Sequence, residues 1–257
     1  MREWFTIDKV DEKTYIISEY AHWERAHSYL LIGDKEAALI DTGLGIGNIK
    51  EVVDKLTSLP VVVLTTHAHW DHMGGHNFFE QIFVHHKDVK WIEQGLPISL
   101  EVIRNHVIRG MKNNDLPVGF KIENYHIFKG QVSGRLKDDD VIDIGNRFVR
   151  VIHTPGHSPG HVCYYEDKTG YLFSGDLLYK GTLFAYYPST DPKLFYQSVD
   201  KLTKLNGISR ILPAHNDLDI KVDLIDNVLE GFKEIDDLGL LNHGSGEFDY
   251  GEFAIKI

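Results

Sequence analysis

The run His67-Ala68-His69-Trp70-Asp71-His72 sets four metal-ligating side chains within six positions. Imidazole nitrogen and carboxylate oxygen both suit zinc and related divalent ions. Residues two apart in an extended or tightly turned segment point the same way, so His67 and His69 can share one ion. Asp71 and His72, past the turn, can face a second. The run follows Val61-Val62-Val63-Leu64-Thr65-Thr66, a short β-branched apolar stretch that reads as a strand buried on both faces. A lone His-x-His carries little weight. His-x-His-x-Asp-His at the end of a buried strand carries much more.

Three further ligand-type residues sit in the same kind of place. His157 follows the strand-like Phe148–Ile152, Asp176 follows Tyr171-Leu172-Phe173, and His215 follows Ile208–Leu212. Loops at strand ends are where rigid scaffolds carry chemistry. Gly156, Gly175 and Ala214 precede these three residues and leave room for close approach.

The elements that must position them can be read along the chain. Trp4–Ile7, Thr14–Ile17, Ser28–Ile32 and Ala37–Gly43 read as strands. Asn48–Leu59 has a helical period ended by Pro60. A helix start is expected at Gly74–Phe79 and a strand at Gln81–Val84. Residues from about His86 to Gly130 read as a largely helical insertion bracketed by Pro97 and Pro117. Helices are expected at Pro192–Leu205 and Val222–Leu238, with a final strand in the alternating tail. Two batches of strands with helices between them suit a two-sheet α/β core.

The 257 residues suit one globular domain with an insertion, spanning 1–257. A net charge of −11 argues against nucleic acid as partner. No apolar run is long enough to span a membrane, and Met1–Asp8 lacks the apolar core of a signal peptide. The single cysteine, Cys163, makes no internal disulfide and reads as a buried strand residue. A cytoplasmic protein is the expectation. Of the ten other histidines, His85, His86, His106, His126 and His243 read as surface or insertion residues. His76 reads as part of a helix start, and His153 and His161 as candidates to support the ligands.

The ligand set resembles the metallo-β-lactamase superfamily, over nearly the whole chain from Asp41 to His215. The resemblance implies a four-layer αβ/βα sandwich and two divalent ions, zinc above iron or manganese. It implies one ion on His67, His69 and His157, a second on Asp71, His72 and His215, and Asp176 bridging both. Asp41, in Ile40-Asp41-Thr42-Gly43, matches a carboxylate behind the ligands. It further implies hydrolysis by a hydroxide held between ions roughly 3.5–4 Å apart, water on zinc falling to a pKa of about 7. Asp71 is then both a ligand and a proton relay.

Departures from branches of the family narrow the substrate. β-Lactamases generally lack the aspartate at position 176. Flavodiiron proteins usually have glutamate at 69 and a flavodoxin domain, and the tRNA-processing nucleases carry an RNA-binding arm. Persulfide dioxygenases use a single iron and need no seven-ligand set. The Gly-Cys-Gly-Arg-type segment of glyoxalase II does not match Leu177–Leu183. Tyr179, three residues after Asp176, is placed like a substrate-binding tyrosine of acyl-homoserine-lactone lactonases and becomes a second catalytic candidate. Ser174–Pro192 is similar to the acyl-CoA-thioesterase-like branch. A small carboxylic ester, thioester or lactone is the expected substrate, with a phosphodiester or an iron-dependent redox reaction as alternatives. Trp91, Ile98, Leu100, Ile103 and Phe120 of the insertion either roof an apolar acyl pocket, pack onto the core, or form a homodimer interface.

Overall fold

A computed structural model describes residues 3–112 and 115–257. The chain divides into two compact units. One comprises Met1–Leu136 and Asp143–Arg147, the other Lys137–Ile142 and Phe148–Ile257.

The first unit is built on a seven-stranded sheet whose strands lie in chain order. They are β1 (Thr6–Asp11), β2 (Thr14–Ser18), β3 (His27–Ile32), β4 (Ala37–Ile40), β5 (Val61–Leu64), β6 (Gln81–His85) and β7 (Gly134–Leu136). β1 to β4 form an antiparallel meander, and β4 to β7 run parallel. The parallel run needs crossovers. The first is α1 (Ile49–Leu56), whose first turn is capped by Asn48 accepting from the Lys50 amide at 3.2 Å. α1 buries Ile49, Val52 and Val53 against Ile17, Leu30 and Leu39 of the sheet. Each such side chain contributes about 1.5–3 kcal/mol when taken fully from water.

The expected insertion carries α2 (Val89–Gln94), α3 (Leu100–Val107) and a 3-10 turn at Ile122–Asn124. Residues 113–114 fall within it and lie outside the described residues. Ile103, Leu100 and Phe120 pack with Leu44 and Ile46, and Trp91 packs with Ala68 and Met73. Ile98 is exposed.

The second unit contains a five-stranded sheet in the order β13-β11-β10-β9-β8 and a three-stranded sheet in the order β12-β15-β14. Its strands are β8 (Val141–Asp143), β9 (Phe148–His153), β10 (Val162–Glu166), β11 (Tyr171–Gly175), β12 (Gly181–Phe184), β13 (Arg210–Pro213), β14 (Glu247–Asp249) and β15 (Phe253–Lys256). Its helices are α4 (Pro192–Thr203) and α5 (Leu224–Asp237). Asp191 caps α4 by accepting from the Lys193 and Leu194 amides, with Pro192 at the first helical position. Phe195 of α4 meets Phe232 of α5 at 5.1 Å between ring centroids, inside the unit's apolar core.

Two details differ from the sequence reading. The tail is a hairpin rather than one strand. Asp249 accepts from the Gly251 amide at 2.8 Å, and Gly251 takes a left-handed φ of +86°, which reverses the chain between β14 and β15. The expected helix start near Gly74 is a single 3-10 turn, His76–Phe78.

His76 itself fastens the sheet. Its two ring nitrogens lie 2.7 Å from Thr42 Oγ1 and 2.8 Å from Thr65 Oγ1, just beyond β4 and β5. Burial holds the imidazole down at about 3, and the nearby His72 ring adds to this. The unfolded chain takes up a proton here below about 6.5, whereas the folded chain does not until about 3. Stability from this group is therefore complete above 6.5 and lost as the pH falls toward 3. Between pH 7.5 and 5, the stability margin of wild type over His76→Asn should shrink by about 2 kcal/mol in urea titrations. An equal margin at both pH values would mean that His76 titrates normally.

Candidate metal centre

In the first unit the donors sit where parallel strands end. β4 and β5 are neighbours with Ile40 opposite Leu64, so the residues just beyond them lie side by side. The Asp41 amide donates to the Leu64 carbonyl at 3.1 Å, extending the ladder by one step. The Asp41 carboxylate accepts from the Thr66 amide at 2.8 Å and the Thr66 hydroxyl at 2.7 Å. It also faces His72 Nδ1 at 2.9 Å. A carboxylate only accepts, so His72 carries a proton on Nδ1 and turns its Nε2 away. That Nε2 lies 3.4 Å from Asp71 Oδ2. His67 Nε2 lies 3.0 Å from His69 Nδ1. The donor atoms of His67 and His72, like those of the other two pairs, come within 4.8 Å of each other. His67, Asp71 and His72 are buried, and His69 is half-buried with its ring stacked near Trp91 of α2.

In the second unit β9 is antiparallel to β10, β10 is antiparallel to β11, and β11 is parallel to β13. β9, β11 and β13 therefore run the same way, and their C-terminal ends share one sheet edge. His157, Asp176 and His215 leave from that edge. The chain reaches His157 through Gly156, at φ +138°, where a Cβ would sit 2.3 Å from Phe195 Cα. Only glycine fits. His157 Nδ1 donates to the Phe184 carbonyl at 3.1 Å, and its Nε2 lies 3.3 Å from Asp176 Oδ2. His215 Nε2 lies 3.2 Å from Asp176 Oδ1. Each oxygen of Asp176 thus faces a different imidazole. The Asp176 amide donates to His161 Nε2 at 3.0 Å, and His161 Nδ1 bonds Thr154 Oγ1 at 2.9 Å. Tyr179 donates its hydroxyl to the Thr182 carbonyl, and its ring meets that of His215 edge-on at 5.6 Å.

The donor set fits divalent cations. In both units an imidazole is held by an acceptor on Nδ1 while its Nε2 faces a carboxylate oxygen. With Nδ1 so engaged, Nε2 is the nitrogen that can coordinate, and a cation there would be held by ring and carboxylate together.

The model of the metallo-β-lactamase superfamily matches residues 23–215. The chain belongs to this superfamily. It is 27% identical over 234 residues to the acyl-coenzyme A thioesterase MBLAC2 of Bos taurus, covering 83% of this chain and 81% of that one. It is 30% identical over 193 residues to the hydroxyacylglutathione hydrolase of Francisella tularensis subsp. novicida, covering 75% and 63%. A metallo-β-lactamase structure from Pontibacter korlensis superposes with a TM-score of 0.65 at 19% identity, covering 89% of this chain and 99% of that one. The fold is accordingly the α/β fold of the metallo-β-lactamases, and the chain is a hydrolase of that superfamily.

Each expected site residue is therefore placed. His67, His69, Asp71, His72 and Asp41 gather in the first unit, and His157, Asp176, His215 and Tyr179 in the second. Cys163 is buried in β10 with its thiol pushed up to about 12 by burial, which removes it as a nucleophile. His85 is buried rather than on the surface, because it ends β6 between two neighbouring strands.

Sequence reasoning missed Glu19 and Asp88. Glu19 accepts from the Leu44 amide at 2.8 Å and Trp4 Nε1 at 2.7 Å, beneath Gly43, where a Cβ would lie 2.0 Å from its Oε2. Burial raises its carboxyl to about 7 against those two bonds, and the charge of Asp71 adds to the rise. Asp88 is fully buried and accepts from the Ala68 amide at 3.1 Å, between the two ligand histidines. Neither residue lies in a motif, so only the fold reveals it.

Asp41 takes a left-handed φ of +56°. Asparagine tolerates that backbone but lacks the charge that fixes His72. Asp41→Asn should keep the fold by circular dichroism and lower metal affinity 10–100-fold in chelator competition. Wild-type affinity in the variant would leave the carboxylate without a tuning role.

Proposed function

We propose that the protein hydrolyses thioesters of small acyl groups, using two divalent metal ions, zinc in the first instance. His67, His69 and His157 would hold one ion, Asp71, His72 and His215 the second, and Asp176 would serve both. The observation that carries this reading is the set of imidazoles anchored through Nδ1 with Nε2 directed at carboxylates, as in His72 and His157. Bound divalent ions polarise a carbonyl oxygen and lower the pKa of water to about 7.

The rest of the reaction falls to the chain's own groups. Asp41 and the Phe184 carbonyl hold two of the rings in the ligating tautomer. Asp71, beside His72 Nε2, is placed to pass a proton toward the departing thiolate. The Tyr179 hydroxyl would exchange the Thr182 carbonyl for the oxygen of a bound thioester. The names of the relatives support a thioester over the lactone and simple-ester options. Coenzyme A and glutathione both carry acyl groups on sulfur.

Purified protein should contain two metal ions per chain and release free thiol from thioesters faster than it opens lactones, β-lactams or phosphodiesters. Asp176→Asn and His69→Ala should each lower that turnover by roughly a hundredfold or more with the fold retained. Phosphodiester cleavage without thiol release, or turnover surviving in metal-free variants, would overturn the reading. Tyr179→Phe should lower kcat while leaving metal content unchanged, and an unaltered kcat would confine Tyr179 to packing against His215.

A further inference from the structure

The first unit holds a cleft of about 570 Å³ whose lining includes Tyr20, His22, Trp23, Arg25 and Arg109. It is a built feature. One wall is the turn from Glu19 to Ala26, closed by the Glu19 amide donating to the Ala26 carbonyl at 2.9 Å and the Arg25 amide to the His22 carbonyl at 3.1 Å. Arg25 is held in a left-handed conformation, φ +47°. The other wall is the end of α3. His22 Nε2 lies 3.1 Å from the Val107 carbonyl, and Trp23 Nε1 donates to the His106 carbonyl at 3.0 Å.

The cleft's chemistry departs from that of the chain as a whole. The protein carries a net charge of −11, yet none of the described lining residues is acidic and two are arginines. The Arg109 guanidinium lies 5.0 Å over the Trp23 ring, and that of Arg25 lies 5.3 Å over the Tyr20 ring. Trp23 is 41% exposed, which is unusual for so large an apolar ring. Planar guanidinium forks suit phosphate oxygens, and the exposed part of the Trp23 ring can take a stacked base. The volume falls within the range of small-molecule sites. The cleft also backs onto the ligand loop. Trp70, between His69 and Asp71, stacks near His106 at 6.0 Å and meets His22 edge-on at 6.2 Å.

We propose that this cleft binds the phosphorylated nucleotide end of a coenzyme A thioester and so selects the acyl carrier. The proposal rests on the thioester reading above and names the carrier that reading leaves open. Glutathione offers carboxylates but no base to stack on Trp23.

Two measurements separate failure of the cleft from failure of the reaction. Adenosine 3′,5′-bisphosphate, the nucleotide end without the thiol, should bind the metal-loaded protein by calorimetry and quench tryptophan fluorescence. Arg109→Ala, at an exposed position, should weaken that binding roughly tenfold or more. Absence of binding, equal binding by the variant, or equal competition from inorganic phosphate or glutathione would overturn the proposal. In the second measurement the same acyl group is offered on coenzyme A and on N-acetylcysteamine. The wild-type preference for the coenzyme A thioester in kcat/KM should fall roughly tenfold in Arg109→Ala. Turnover of both with an unchanged ratio overturns the cleft alone. Turnover of neither overturns the thioester reading, and bisphosphate binding then still decides the cleft by itself.

Discussion

The carboxylate of Asp41 is the contact on which the donor cluster of the first unit depends. It joins the end of β4 to the chain leaving β5 through Thr66, and it sets the tautomer of His72. The backbone there is left-handed, a conformation that costs a non-glycine residue about 1–3 kcal/mol. Hydrogen bonds to a charged group return about 1.5–3 kcal/mol each, and Asp41 makes three. The three bonds together outweigh the strain. The same bonds fix where Thr66 ends, and with it where His67 begins.

The donors of the second unit are positioned by different means to the same effect. Its ligands share one sheet edge because β9, β11 and β13 are codirectional. A backbone carbonyl, that of Phe184, does for His157 what Asp41 does for His72. The histidines that support the site are distinguished by their ring nitrogens. His76 spends both on threonine hydroxyls, and His161 spends one on Thr154 and the other on the Asp176 amide. Neither ring has a nitrogen left for an ion. His72 and His157 each spend one and direct the other at a carboxylate.

This division explains what was legible in the sequence. Ligand-type residues after apolar strands could be read from spacing alone, because a strand end fixes both direction and burial. The Asp41 motif was readable for the same reason. The groups that tune them were not. The Phe184 carbonyl is backbone and has no sequence signature. Glu19 and Asp88 come from the ends of β2 and β6, and only strand order brings them beneath Gly43 and beside Ala68. His85 was misread because the neighbour that buries it, β7, is a three-residue strand too short to stand out. The tail showed alternation, yet its reversal rests on Asp249 and Gly251, a turn that the alternating pattern runs across.

The balance of buried charge leads back to the donor set. Glu19, Asp41, Asp71 and Asp88 are all buried in the first unit, where Arg147 is the one buried arginine among the described residues. In the second unit Glu166 is met by the Thr169 hydroxyl, and Asp176 is met by histidine rings. Burying a carboxylate among neutral groups costs several kcal/mol, and the usual relief is protonation or a paired cation. Glu19 shows the first outcome, its carboxyl raised to about 7. To bind an ion, Asp71 and Asp176 give up their protons, and their charge then calls for a cation beside it. The rings of His72 and His157, engaged through Nδ1, can coordinate only through Nε2. Divalent ions between those rings and those carboxylates resolve both demands, which is why the geometry of His72 and His157 carries more weight for this site than the mere presence of seven ligand-type residues.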